Sequence, residues 1–193
     1  MTKIDPIAQF SAWFGEAIKA EPSNANAMTL ATVAPDGRPS TRMVLLKEHD
    51  AQGFVFYTNF NSQKGQELTA NPYASLCFYW KSLGRQIRVA GKASRVSDAE
   101  ADAYYASRPR GSRIGAWASE QSQPVDSRDV LEARVRDLTA KYGDGEIPRP
   151  PHWSGFRVVP DRIEFWTDRP DRLHDRQLFV QTADGWSELR LQP

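Results

Sequence analysis

The spacing of apolar residues changes period along the chain, and each change marks a change of structure. Ile7, Phe10, Phe14 and Ile18 recur at helical spacing behind Asp5 and Pro6, the residue types that cap and open a helix. From residue 27 the period drops to two. "AMTLATVAP", "TRMVLLKEHD", "FVFYTNF", "YASLCFYW" and "RQIRVAGKASRVS" read as five strands, with "PDGRPS" and "DAQG" as turns. Ser62 caps a short helix, "QKGQELTA", which Asn71-Pro72 stops. The middle of the chain turns helical. Asp98 caps "AEADAYYASR", "SRIGAWAS" follows Pro109, and Ser127 caps a third helix with an apolar stripe of Leu131, Val135, Leu138 and Tyr142, ended by Gly143. "EIPRPP" is a stiff connector. Period two then returns in "WSGFRVVP", "RIEFWTD", "RLHDRQLFVQT" and "WSELRLQP".

Strands joined by short turns, with helices segregated between two β blocks, predict an α+β fold around a small antiparallel barrel. The last strands are expected to complete a sheet begun by the first five. With 193 residues and no internal repeat, the chain reads as one domain, 1–193. Strand alternation within "DRLHDRQLF" would put Arg172, His174 and Arg176 on one face. Three potential cations side by side raise the question of what lies before them.

Composition narrows the function. Net charge is +1, so any anion site must be a local cluster of basic residues rather than a global field. The single cysteine, Cys77, cannot form an intrachain disulfide and fits a reducing cytoplasm. "MTKIDPIAQF" has no apolar signal core and no apolar run is long enough to span a bilayer, so a soluble cytoplasmic protein is expected. His49, His152, His174 and Cys77 match no metal-ligand spacing. Dinucleotide, Walker and serine-hydrolase signatures are missing too. An enzyme with this inventory would take its chemistry from a bound organic cofactor.

Several basic residues sit beside hydroxyls and helix starts. In "YYASRPRGSRIGAW", Tyr104 and Arg108 are four apart on one helix face, and Ser112 lies near the next helix start, where free N–H groups favour an anion. They fit a phosphate pocket, and they also fit helix capping with surface arginines, which spacing alone favours. Arg42 and Lys47, five apart, are expected on opposite faces of one strand, holding two different anions or none. Lys64 falls in the first turn of a helix, where a cation opposes the dipole unless an anion joins it. Gln121 and Ser122 offer an amide and a hydroxyl. Gln86, Arg88 and Lys92 share a strand face, and Trp80, Trp117, Trp153 and Trp166 read as core, dimer contacts or a stacking partner for a flat ring.

"RMVLLK", "FYTN", "RQIRVAGKA", "YYASRPRGSRIGAWAS", "EFW" and "RLHDR" occur in an order that resembles the pyridoxine (pyridoxamine) 5'-phosphate oxidases, nearly end to end. The resemblance implies an FMN-binding split β-barrel, antiparallel and Greek-key-like, with flanking helices, working as a homodimer with each FMN site built from both subunits. It implies that Arg42, Gln63 and Lys64 hold the FMN phosphate with Gln121 and Ser122. Met43, Val44, Leu45, Leu46, Lys47, Tyr57, Thr58, Gln86, Trp166 and Arg176 would line the flavin. Lys47, Tyr104, Arg108 and Ser112 would hold the substrate phosphate, and Arg172 and His174, the catalytic pair, would lie against a pyridine ring. The implied reaction oxidises pyridoxamine or pyridoxine 5'-phosphate with O2, C4' giving hydride to flavin N5, to yield pyridoxal 5'-phosphate, H2O2 and, from the amine, ammonia.

Two departures accompany the resemblance. Ser62-Gln63-Lys64 stands where the family has "SRK", which removes one charge from the FMN phosphate site. The given sequence starts at about the Asp5-Pro6 that follows the family's N-terminal arm, whose arginine and tyrosine cover the substrate. "SQKG" and the terminal "RLQP" also fit phenazine-pathway FMN oxidases acting on a reduced phenazine, and a non-catalytic flavin- or pyridoxal-phosphate-binding barrel is the third reading. Retention of Lys47, Tyr104, Arg108, Ser112 and Arg172 places the vitamin-B6 oxidase first.

Overall fold

A computed structural model of the chain describes residues 5–193. Helix α1 (Pro6–Ala20) starts as its sequence dictates, with the Asp5 carboxylate accepting from the Ile7 N–H at 2.9 Å. Ile7 and Phe10 are buried, but Ile18 is 59% exposed and Ala17 takes the inward place. At ~100° per residue, Ala17 points ~20° from Phe10 and Ile18 ~80°, which explains the exchange.

Among the described residues, nine strands form one antiparallel sheet: β1 (Ala27–Val33), β2 (Pro39–Leu45), β3 (Glu48–Asp50), β4 (Gly53–Asn59), β5 (Tyr73–Trp80), β6 (Arg85–Arg95), β7 (Trp153–Thr167), β8 (Asp175–Thr182) and β9 (Gly185–Leu191). The order is β2-β1-β5-β6-β7-β4-β3, with β8 on β7 and β9 on β8. The C-terminal strands thus complete the sheet begun by the first five, as expected. β6 runs along most of β7, whose other edge pairs with β4 through its first half and β8 through its second.

The expected strand "TRMVLLKEHD" is two strands. Leu46 N–H still donates to Asn26 O at 2.8 Å, but Lys47 N–H donates to Val55 O at 2.9 Å, so the chain changes partner between these residues. β2 and β3 occupy opposite ends of the sheet path. The link from Leu45 to Glu48 reaches at most about 11 Å, whereas a flat sheet would need about 29 Å for six strand spacings. The sheet must therefore curl until its ends meet.

"WSGFRVVP" and "RIEFWTD" join into the single strand β7, and a register shift opposite Ala90/Gly91 leaves Asp161 unpaired beside Pro160. Gly91 makes that bulge possible, since a Cβ there would lie 2.0 Å from Val159 O. Phe54, Phe56, Leu76, Phe78, Ile87, Val89, Val158 and Ile163 fill the barrel. Phe10 of α1 plugs it, with ring centroids 4.8 Å from Phe54 and 5.2 Å from Phe78.

The remaining helices decorate the barrel. Ser62 caps α2 (Gln63–Ala70). Ser97, rather than Asp98, caps α3 (Asp98–Ser107) through a reciprocal pair with Glu100, because Ser97 is followed three residues later by a carboxylate that reaches back. α4 (Arg110–Ala118) and α5 (Arg128–Tyr142) follow; Ser127 occupies the N-cap position without a side-chain bond, and the α5 stripe is half-buried. β8 begins only at Asp175. Pro170–Arg172 is a 3-10 turn with left-handed φ of 58° at Asp171 and 62° at Arg172, so Arg172 does not alternate with Arg176 along a strand. No helix among the described residues is long and apolar enough to cross a membrane.

His49 on β3 binds Ser11 Oγ at 2.9 Å and packs 4.9 Å from the Phe10 ring and 5.6 Å from Phe14. Burial lowers its pKa below 6.5, against the opposing pull of Asp50. The unfolded chain therefore binds the proton first, and the neutral ring's contribution, full above 6.5, declines as pH falls below it. Thermal denaturation from pH 7.5 to about 5.5 should show a falling melting temperature, and a smaller fall in His49→Phe.

Candidate functional site

Barrel closure creates a cavity of about 960 Å³ between the β2 edge, β4, α2, α3 and α4. Arg42, Met43, Val44, Leu45, Lys47, Tyr57, Thr58, Lys64, Tyr104, Arg108, Ser112, Gln121 and Ser122 all line it. Arg42 and Lys47 thus share one cavity instead of facing apart, because the change of strand partner after Leu46 redirects Lys47. Leu46 itself is 3% exposed and packs in the barrel core, not against this cavity.

One end of the cavity is a tight electrostatic cluster. The Arg42 guanidinium donates to Ser40 Oγ at 2.7 Å, to Glu67 Oε2 at 3.1 Å and to Thr32 Oγ1. Glu67 also accepts from Ser40 at 2.8 Å, from Gln63 Nε2 at 2.8 Å and from Thr32. Burial alone would raise the Glu67 pKa, but these four donors hold it down at about 2. Lys64, one turn earlier on α2, is 9% exposed; its Nζ lies 3.2 Å from Gln121 Oε1 and 3.4 Å from Ser62 Oγ. Burial and the nearby Arg42 push the Lys64 pKa down, with Glu67 only partly offsetting them. Gln63 points into this cluster at Glu67 and does not line the cavity. Glu67 is a site residue that the sequence pattern did not single out, although its place three residues after Lys64 puts both on one helix face.

The other end is aromatic. Tyr57 and Tyr104 stack with centroids 3.9 Å apart, and Trp153 lies nearly parallel to both, 5.5 Å and 6.1 Å away. Gly155 leaves room for this stack, because a Cβ there would meet the Tyr57 ring at 2.9 Å. Lys47 Nζ sits 5.8 Å from the Tyr104 centroid. Arg108, the C-cap of α3, places its guanidinium 4.6 Å from the Trp153 ring, and its buried Nη1 has no hydrogen-bond partner. Burial lowers the Arg108 pKa. A buried, unpaired guanidinium edge is costly unless an anion meets it.

Gln86, Trp166 and Arg176 are direct neighbours on β6, β7 and β8. His174 packs on Trp166 at 4.6 Å, and its Nδ1 lies 3.2 Å from Arg169 N and 3.1 Å from Asp168. Arg176 is held by Glu164 at 2.8 Å, and Arg88 grips the same buried carboxylate at 2.6 Å. Burial would raise the Glu164 pKa, yet the two arginines bring it below its usual value. His174 and Arg176 line a separate cavity of about 300 Å³. Between Leu45 and Arg176 lie five strand spacings, about 24 Å along the sheet. The expected face of Arg172, His174 and Arg176 is accordingly absent. The exposed Arg172 belongs to the turn, and the anticipated site divides into two groups within one protomer.

The cross-strand row Met43–Thr29–Cys77–Arg88–Glu164–Leu178–Leu189 defines one sheet face spanning the two groups. Met43 at 62%, Tyr79 at 60% and Leu189 at 50% exposure leave it rich in apolar surface.

A curled antiparallel sheet flanked by helices, with a cation-lined cavity at its seam, defines the FMN-binding split-barrel class. The solved pyridoxamine 5'-phosphate oxidase-related, FMN-binding protein of Nostoc punctiforme has this fold, with a TM-score of 0.77 at 19% identity over 99% of both chains. Family models narrow the class. Residues 14–142 match "Pyridoxamine 5'-phosphate oxidase", and residues 153–193 match "Pyridoxine 5'-phosphate oxidase C-terminal dimerisation region". Curated pyridoxine/pyridoxamine 5'-phosphate oxidases of Brucella canis and Brucella suis are 61% identical over 191 residues, covering 98% of this chain and 94% of theirs. PhzG of Burkholderia lata, solved with tetrahydrophenazine-1-carboxylic acid, is 33% identical with a TM-score of 0.94, covering 100% of this chain and 94% of its own. The chain belongs to the pyridoxine/pyridoxamine 5'-phosphate oxidase family of oxidase enzymes.

The state of Lys64 gives a direct check on the cation cluster. Inorganic phosphate should raise the wild-type melting temperature, and Lys64→Met should remove that rise while melting no lower than wild type in phosphate-free buffer.

Proposed function

We propose that this protein is an FMN-dependent oxidase that converts pyridoxamine 5'-phosphate or pyridoxine 5'-phosphate and O2 to pyridoxal 5'-phosphate and H2O2. The amine also consumes water and releases ammonia. The observation that carries this reading is a pair of cationic groups at two ends of one cavity: Arg42 with Lys64, and Lys47 with the unpaired Arg108 Nη1. Two phosphorylated flat molecules lying together need such a pair.

The residues fit FMN on physical grounds, because buried Lys64 beside Arg42 lacks a dedicated carboxylate while Glu67 is already saturated by four donors. Arg42, Lys64, Gln121 and Ser122 would hold its phosphate, and Met43, Val44, Leu45, Tyr57 and Thr58 would border its ring. Gln63 would act on Glu67 rather than on the phosphate. Bound FMN supplies the two-electron acceptor that O2 regenerates. Lys47, Tyr104, Arg108 and Ser112 anchor the substrate phosphate, so binding energy remote from C4' orients that carbon. Arg172 and His174 face the pyridine, with Gln86, Trp166 and Arg176 bordering the flavin.

Because those five residues lie away from the main cavity of their own protomer, they come from a second copy. The exposed apolar face between the groups, and the matched dimerisation region over β7 to β9, support a homodimer with two composite sites. The whole chain then acts as one working unit.

The 33% likeness to PhzG favours a second reading, oxidation of a reduced phenazine. The phosphate-anchoring set and the 61% relatives favour the B6 phosphates. Flavin-loaded protein should consume O2 with pyridoxamine or pyridoxine 5'-phosphate and form a product absorbing as pyridoxal phosphate. No turnover with either, or much faster turnover of a reduced phenazine, would overturn the proposal.

Arg172→Ala should raise the KM for the phosphorylated substrate by about tenfold or more while FMN affinity stays within about twofold. Titration of flavin fluorescence and steady-state kinetics measure the two effects separately. Loss of FMN instead would reassign Arg172 to the cofactor.

A further inference from the structure

Trp153 opens β7 at the end of the proline-rich connector, and its indole is 6% exposed. It carries three neighbours of the main cavity at once. The Tyr57 and Tyr104 rings lie within 8° of its plane, and the Arg108 guanidinium lies 4.6 Å from its ring. Arg108 has few other restraints: the Tyr105 ring lies farther off at 5.8 Å, the backbone has left helical geometry with ψ of 145°, and Nη1 makes no hydrogen bond. No carboxylate among the described residues pairs with it in an ion bridge. A flexible, half-buried cation without a counter-charge needs another restraint to stay aimed into the cavity, and a π-face supplies one without neutralising it.

Trp153 is itself fixed from outside the cavity. Arg149 Nη1 donates to Trp153 O at 2.9 Å, and the same guanidinium binds Asp98 at 2.8 Å and Asp102 at 2.5 Å on α3. The helix that carries Tyr104 and ends in Arg108 is thereby tied to the strand that carries the indole. The tie sets the spacing between ring and guanidinium.

We propose that Trp153 is a positioning residue for substrate-phosphate recognition, its indole holding Arg108 and Tyr104 in the orientation that meets the phosphate. The inference rests on the substrate reading above, and it adds a residue that makes no charged contact of its own. An anion bound at Arg108 would gain from this arrangement twice: the guanidinium keeps its full charge, and little side-chain freedom remains to be lost on binding.

A double-mutant cycle tests it on the flavin-loaded dimer. Trp153→Leu should raise KM for pyridoxine 5'-phosphate about tenfold with kcat and FMN affinity changed less than about twofold, and Trp153→Phe, which keeps a π-face, should recover most of the loss. In an Arg108→Lys background, Trp153→Leu should cost much less than it does alone, because the group it orients is gone. Full additivity with Arg108→Lys, or an equal fall in kcat and FMN affinity, would overturn the proposal. If Trp153→Leu does not fold, Trp153→Phe is compared with Trp153→His in the same cycle, and equal KM values for wild type and both would count against the proposal. Failure of wild-type turnover would instead overturn the substrate reading, so the two failures are distinguishable.

Discussion

The short link between β2 and β3 constrains everything else in this protein. Leu46 and Lys47 have to carry the chain between opposite ends of the sheet path, which a flat sheet does not permit. Curling brings the β2 edge against β4, turns the core aromatics inward around Phe10, and opens the cavity at the seam. It also sets Arg42 and Lys47 before a common space, where simple alternation would have separated them. Gly91 and the unpaired Asp161 serve the same closure, since the bulge lets one long strand bend while pairing with β6.

Within that frame the charges are arranged by satisfaction and by want of it. Glu67 takes four donors and Glu164 takes two arginines, so these carboxylates stay ionised and fix Arg42, Arg88 and Arg176. Lys64 and Arg108 are treated differently. Both are partly desolvated, which lowers both pKa values, and neither is matched by a carboxylate of its own. An apolar interior would expel such groups; here they border a cavity of ligand size, which is the ground for the proposal that they receive anions. The cost of keeping them desolvated is carried by the surrounding packing, and an anion that bound there would offset it.

Much of this organisation is legible in the sequence. Period two locates the strands because a one-sided sheet forces alternation, and Asp5-Pro6, Ser62 and Gly143 mark helix ends through local backbone chemistry. The cluster Tyr104, Arg108 and Ser112 stands out because helix spacing is a local property. Differences arise where tertiary geometry overrides local pattern. "TRMVLLKEHD" breaks at a partner change, "RLHDRQLFVQT" loses its start to a turn imposed by Pro170, and Gln63 is drawn to a carboxylate rather than the cavity. Leu46 reads as one more apolar strand residue, and nothing in its neighbours says that it faces the core.

The sequence by itself determined the α+β barrel class through short-range periodicity, and its ordered motifs carried the resemblance to the family. Only the tertiary structure decided how the site residues divide. It placed Arg42, Lys64, Lys47 and Arg108 around one cavity and put His174 and Arg176 beside another, about 24 Å of sheet from Leu45. It also revealed that Glu67 binds Arg42 and that the Trp153 ring lies against the Arg108 guanidinium. Such partnerships join residues far apart in the chain, and their distances are set by barrel curvature, which no local pattern encodes.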